Sequence, residues 1–239
     1  MKTLTYINGQ FLEEPQISAL DLSVLRGYGV MDYTRTYGGV PFRLRAHLER
    51  FVRSAELMGL EVPESIERME AIVLELIKRG GFEESGVKVV LTGGGSEDQL
   101  MPTGTPLFFA VVYSHVPFPK RYYEEGADLV TFQYQRHLPL AKSTQYGPTI
   151  VALKKSQALD VLFYDEQGWI RETGTANFFA VKGGKILTPE KGILEGITRD
   201  VVMELCDVEV REIHLQEMEE FEGAFLTSSN KEVMPVRSI

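Results

Sequence analysis

LAKSTQYGPTIVALKKSQALDVLFYDEQGWIRETGTANFFAVKGGKILTPEKGILEGITRDVVMEL, residues 140–205, carries most of what this sequence says about fold and chemistry. Three features stand in it in order. Lys142 falls between a strand pattern ending near Tyr134 and a helix that Pro148 opens, among small and hydroxyl side chains. Glu172 lies near the end of a predicted strand, Trp169 to Thr173, with Gly174 and Thr175 following. GILEGITRD sets Gly196, Ile197 and Thr198 at the start of an amphipathic helix that runs to Leu205. A helix start presents unpaired backbone N–H groups and a partial positive charge, and together these bind a phosphate. Taken alone, the nonapeptide favours a plainer reading, a Thr198 cap after a glycine turn.

The surrounding pattern is mixed. Downstream of the proline pair Pro117 and Pro119, strands are predicted at Leu129 to Tyr134, Val161 to Tyr164, Phe178 to Val181 and Gly223 to Leu226, with a helix over Pro148 to Leu159. Upstream, a strand at Thr3 to Ile7 meets the hairpin signal Asn8-Gly9 before Phe11 and Leu12. Val30 to Tyr37 reads as a strand with Tyr33, Arg35 and Tyr37 on one face. Helices are predicted over Ala46 to Gly59 and Pro63 to Lys78, from apolar stripes through Leu48, Phe51 and Ala55 and through Met69, Val73 and Leu76. Strands at Val87 to Leu91 and Leu107 to Tyr113 flank a polar loop. Its Gly93-Gly94-Gly95 reads as flexible, because no helix pattern follows to make a phosphate cradle. The class is α+β in two unequal parts, a small N-terminal domain over 1–116 and a larger one over 117–239.

Bulk properties narrow the function. The 239 residues suffice for two modest cores, and 44% apolar with 25% charged is ordinary for a globular protein. A net charge of −9 argues against a nucleic-acid partner, which needs clustered Lys and Arg. Cys206 is the only cysteine, so no disulfide framework or thiolate metal cluster is expected; its neighbours Val201, Val202 and Leu205 suggest a buried thiol. The opening MKTLTYINGQF lacks the apolar core of a signal peptide, and no run reaches membrane-spanning length, which points to a cytoplasmic enzyme. HExxH, GxSxG, the P-loop and a helix-opening GxGxxG are all missing, and no metal site is expected.

A lysine, a downstream strand-end glutamate and a phosphate-ready helix start, in this order, resemble the class IV aminotransferases. These are fold-type IV pyridoxal-phosphate enzymes that include branched-chain aminotransferases, D-amino acid aminotransferases and aminodeoxychorismate lyases. The resemblance runs through YINGQF, LRGYGVMDYTRTYGGVPF, AHLERF, RETGTANFF, GILEGITRD and the closing FLTSSNKEVMPV. It implies a two-domain α+β fold of the D-amino acid aminotransferase type, with pyridoxal 5′-phosphate between the domains, in a homodimer. Residue by residue it implies Lys142 as the Schiff-base lysine, an amine whose pKa burial lowers readily. It implies Glu172 as the partner of the pyridine nitrogen, keeping the ring an electron sink. Arg50 of HLERF, Ile197 and Thr198, and Ser228 and Ser229 would bind the phosphate, and Tyr146 the phenolic oxygen. Helix periodicity by itself sets Arg50 away from the apolar stripe, so its role rests on the resemblance. The implied reaction is a ping-pong transamination between a small amino acid or amine and a 2-keto acid. Lys142 would move a proton from substrate Cα to the cofactor.

The substrate pocket departs from the D-amino acid enzymes. Their arginine and histidine in the loop after Val87 to Leu91 are absent, and TGGGSEDQLMP places Glu97 and Asp98 there, which would repel a carboxylate. Arg35, beside Tyr33, is the replacement candidate, as an arginine also occurs there in branched-chain enzymes. Met31 stands where relatives often carry an aromatic residue. An aminodeoxychorismate lyase, which eliminates pyruvate with the same lysine and cofactor, is the alternative activity. A cofactor-binding protein without catalysis is a third.

Overall fold

In the computed structural model, which describes residues 2–239, β1 (Thr3–Ile7) turns through Asn8 and Gly9 into β2 (Gln10–Leu12). Both turn residues have positive φ, 50° and 79°, the geometry that matches the right-handed twist of a hairpin and that Asn-Gly adopts at least cost. A short helix, α1 (Leu22–Arg26), then leads into β3 (Gly29–Tyr37), β4 (Val40–Pro41), the helices α2 (Leu44–Leu57) and α3 (Ile66–Gly80), and β5 (Ser85–Thr92) and β6 (Phe108–Ser114). These strands form one sheet in the order β2-β1-β6-β5-β3-β4. Along β3 the side chains alternate: Val30 joins the apolar core with Leu48, Phe51, Val89 and Leu91, while Tyr33 and Arg35 point to the opposite face. Ser65 caps α3 by accepting from the Arg68 N–H, which moves that helix start three residues past the predicted Pro63.

The second group of elements is α4 (Arg121–Glu124), β7 (Ala127–Gln133), α5 (Gly147–Leu153), β8 (Asp160–Tyr164), β9 (Ile170–Thr173), β10 (Asn177–Lys182), β11 (Lys185–Thr188), α6 (Ile197–Leu205), β12 (Val208–Val210), a 3-10 turn at Leu215–Glu220, β13 (Gly223–Ser228) and β14 (Glu232–Ser238). They build an eight-stranded sheet in the order β12-β11-β10-β13-β14-β7-β8-β9. β8, β9 and β10 are buried almost without interruption, because the sheet is covered on two faces: Val161 and Phe163 pack with Ala152 of α5, and Leu162, Ile170 and Phe178 with Leu129 and Leu226. α5 stops at Leu153, six residues short of the predicted end. Leu159 already donates its N–H to Asp128 as β8 pairs with β7, and the Ser156 hydroxyl turns the chain by accepting from the Ala158 N–H. Cys206 is exposed and not buried as expected, since it follows the last turn of α6 in an extended conformation, off the helix's apolar stripe.

The chain divides into two units, Met1–Val116 with Ala141–Gln145, and Pro117–Leu140 with Tyr146–Ile239. The predicted boundary at 116/117 puts the Lys142 segment in the second domain; its contacts put it with the first. Among the described residues, no helix is long and apolar enough to cross a membrane.

Candidate active site

In the first unit, Lys142 is pinned through both polar groups of its own peptide. Its N–H donates to the Ser54 hydroxyl (3.0 Å), and its carbonyl accepts from the Met31 N–H (2.9 Å). The segment runs antiparallel along the open start of β3, with Ser143 bridging Val30 and the Thr144 N–H donating to Gly29. Ser54 in turn donates to the Arg50 carbonyl (2.8 Å), so one hydroxyl joins α2 to the Lys142 peptide. The side chain is half-buried.

Arg50 is buried, on a side of α2 that the apolar pattern had given to solvent. Asp32, one residue after Met31 on β3, explains this. Its carboxylate takes the Arg50 fork through Nε (2.9 Å) and Nη2 (2.8 Å) and His47 Nδ1 (2.7 Å). A buried polar side of a helix is invisible to a count of apolar residues, and only the facing strand supplies the reason. Ser54 adds to that buried polar side and was not anticipated.

Arg35 and Tyr33 share a face, as the alternation predicts. Arg35 lies over the Tyr37 ring (4.4 Å), Tyr33 stacks on Tyr113 (6.5 Å between ring centres), and the Tyr33 hydroxyl meets His115 Nδ1 at 3.2 Å. Burial, with Tyr113 close by, holds the Tyr33 phenol well above its ordinary pKa, so it stays a neutral hydroxyl. Glu97 and Asp98 are in an exposed loop where Asp98 accepts from the N–H groups of Leu100 (2.9 Å) and Met101 (2.8 Å) and turns inward on its own chain.

In the second unit, Glu172 is buried and held at both oxygens. Oε1 accepts from Arg136 through Nε (2.8 Å) and Nη2, and Oε2 from the Leu194 N–H (3.1 Å). Burial would lower the Arg136 pKa, but Glu172 beside it outweighs that and raises it, so the guanidinium stays charged. Arg136 was not among the expected residues. It lies in QRHLPL between predicted elements, where nothing but a charge pairing in space marks it. Tyr146 stands at the start of α5, also within electrostatic reach of Arg136.

Leu194 leads into α6. Gly196, extended at φ −81° and ψ 132°, precedes its first residue, Ile197, and no side chain caps the helix. Thr198 is therefore inside the helix and not its cap, which leaves the first-turn amides of Ile197 and Thr198 suited to an anion. Ser228 ends β13 and Ser229 opens the turn to β14; the Ser228 hydroxyl accepts from the Lys231 N–H (3.1 Å). Thr227, just before them, has a buried hydroxyl with no hydrogen-bond partner among the described residues. An orphaned donor beside two half-buried serines fits a site that takes anion oxygens.

Residues 29–239 match the family model described as amino-transferase class IV. The chain is 30% identical to a putative branched-chain-amino-acid aminotransferase of Methanocaldococcus jannaschii, over 98% of this chain and 87% of the relative. It is 28% identical to a D-alanine aminotransferase of Staphylococcus epidermidis, over 99% and 89%. Among solved structures, a T.th. branched-chain amino acid aminotransferase with pyridoxamine 5′-phosphate superposes with a TM-score of 0.91 at 26% identity, covering 100% of this chain and 86% of that one. The branched-chain aminotransferase of Thermoproteus uzoniensis with norvaline gives 0.90 at 26%, covering 99% and 86%.

Proposed function

The chain belongs to the class IV aminotransferases, and from that footing we propose that it moves an amino group between a small amino acid or amine and a 2-keto acid with pyridoxal 5′-phosphate held on Lys142. The observation that carries the cofactor reading is Glu172. A buried carboxylate with a cation at one oxygen and a backbone N–H at the other is fixed in direction, as a partner for a protonated ring nitrogen must be. The bound cofactor supplies an electron sink for the electrons of the substrate Cα–H bond.

The chain's own groups do the rest. The Lys142 amine would hold the cofactor and, once free, would act as the base that takes the substrate Cα proton and the acid that gives it back. Its pinned peptide leaves only the side chain to move. Glu172 would face the ring nitrogen and hold its proton, and Arg136 fixes the Glu172 carboxylate in direction. The Ile197 and Thr198 amides, Ser228, Ser229 and Arg50 would bind the phosphate, and Tyr146 the phenolic oxygen. Arg35, with Tyr33, receives the substrate carboxylate. The relatives that are similar over nearly the whole chain are named as aminotransferases, which favours transfer over pyruvate elimination. The reading takes the protein as a cytoplasmic homodimer.

The test is reductive. Purified protein with pyridoxal phosphate is treated with borohydride and mapped by peptide. A pyridoxyl group on the Lys142 peptide, with amino-donor turnover that needs a keto acid, supports the reading. A label on another lysine, or pyruvate release without an acceptor, overturns it.

A further inference from the structure

Glu172 and the segment that leads into α6 are joined through a single residue, Leu194. The Leu194 N–H donates to Glu172 Oε2 (3.1 Å), and the Leu194 carbonyl accepts from Asn177 Nδ2 (2.7 Å). Two residues on, Gly196 leads into α6, and a Cβ built on it would lie 1.9 Å from Asn177 Oδ1. The Asn177 amide therefore bears on both Leu194 and Gly196, and it is 4% exposed. Across the ladder its partner on β13 is Thr227, whose buried hydroxyl precedes Ser228 and Ser229. One side chain thus borders the three segments assigned above to ring nitrogen and phosphate.

Pyridoxal phosphate is a flat ring with a short phosphate arm, so its ring nitrogen and phosphate sit at a nearly fixed separation. A protein that grips both ends must hold its two grips at that separation, because binding groups misplaced by about 1 Å lose most of their effect. We propose that Asn177 is the positioning residue that sets this separation: it holds the 194–196 backbone so that Glu172 and the first-turn amides of α6 fit one cofactor molecule. Only a neutral amide does this well. It donates to the Leu194 carbonyl and packs its oxygen on a glycine, whereas a carboxylate would face that carbonyl without a proton to give. The inference rests on the cofactor reading above.

The experiment titrates apoenzyme with pyridoxal 5′-phosphate and, separately, with pyridoxal, which lacks the phosphate. Wild type is expected to prefer the phosphorylated form strongly. In N177A and N177D that preference falls by about tenfold or more, the size expected when a buried hydrogen bond is lost from a binding segment. The ³¹P resonance of bound cofactor shifts as well, which a change in global stability alone would not produce. Thermal melts of the apoenzymes check folding. If N177A is unfolded, N177D and G196A, which presses on the same amide from the other side, carry the test with the same expectation. Variants that keep both the wild-type preference and the wild-type ³¹P shift overturn the inference and leave the cofactor reading standing. A wild type with no preference for the phosphorylated form overturns both.

Discussion

Asp32 lies fully buried, where an ionised carboxylate costs several kcal/mol unless it is paired. Burial alone would raise its pKa, but Arg50 and His47 outweigh that and hold it well below the ordinary carboxylate range. His47 goes the other way. Its desolvation exceeds the pull of Asp32, with the Arg50 and Lys142 charges adding to the loss, so its pKa is lowered from 6.5. At neutral pH the ring is therefore neutral and donates Nδ1–H to Asp32, and Arg50 alone balances the charge. Linkage gives the sign. A histidine with a depressed folded pKa contributes stability that is present above 6.5 and is lost as pH falls, because the unfolded chain takes the proton first. Asp32 adds a second loss at lower pH, below its unfolded value near 4. We expect the wild-type melting temperature to fall more steeply than that of H47Q just below pH 6.5, and thermal melts across pH 5–8 check it. Parallel slopes would mean that folding leaves the His47 pKa unshifted.

At the scale of elements, one buried ion pair ties the turn between β13 and β14 to the start of β8. Lys231 is 5% exposed, and its ammonium donates to Asp160 Oδ2 (2.9 Å) and to the Thr175 hydroxyl, with the Phe118 ring 5.7 Å away. Asp160 also accepts from the hydroxyls of Thr173 (3.0 Å) and Thr175 (2.7 Å). The turn that carries Ser229 is thereby fixed against the segment that follows Glu172. Removing one partner of such a pair leaves a stranded charge, so K231M should destabilise the protein by about 3–5 kcal/mol in chemical denaturation. Adding D160N should restore a large part of that. A K231M cost below about 1 kcal/mol, typical of an exposed pair, would sink this account.

On the scale of the whole molecule, the proposed dimer is checked by sedimentation of the purified protein: twice the chain mass is expected, and a monomer at micromolar concentration would refute it. The sequence by itself determined the elements whose cause is local. The Asn8-Gly9 hairpin, the alternation of β3, the stripes of α2 and α3 and the helix opening after Gly196 all follow from backbone preference and side-chain period. The order of lysine, glutamate and helix start was legible too, since it is a property of the chain. Tertiary structure decided what depends on neighbours far along the chain. It put the Lys142 segment with the first unit, ended α5 at Leu153, made a strand of Glu232–Ser238 and gave Arg50 a buried carboxylate to face. It also supplied Arg136 to Glu172 and Asn177 to Leu194. Period and propensity act over a few residues, whereas a buried charge or amide is stable only where the fold brings a partner to it, and that partner has no fixed spacing in sequence.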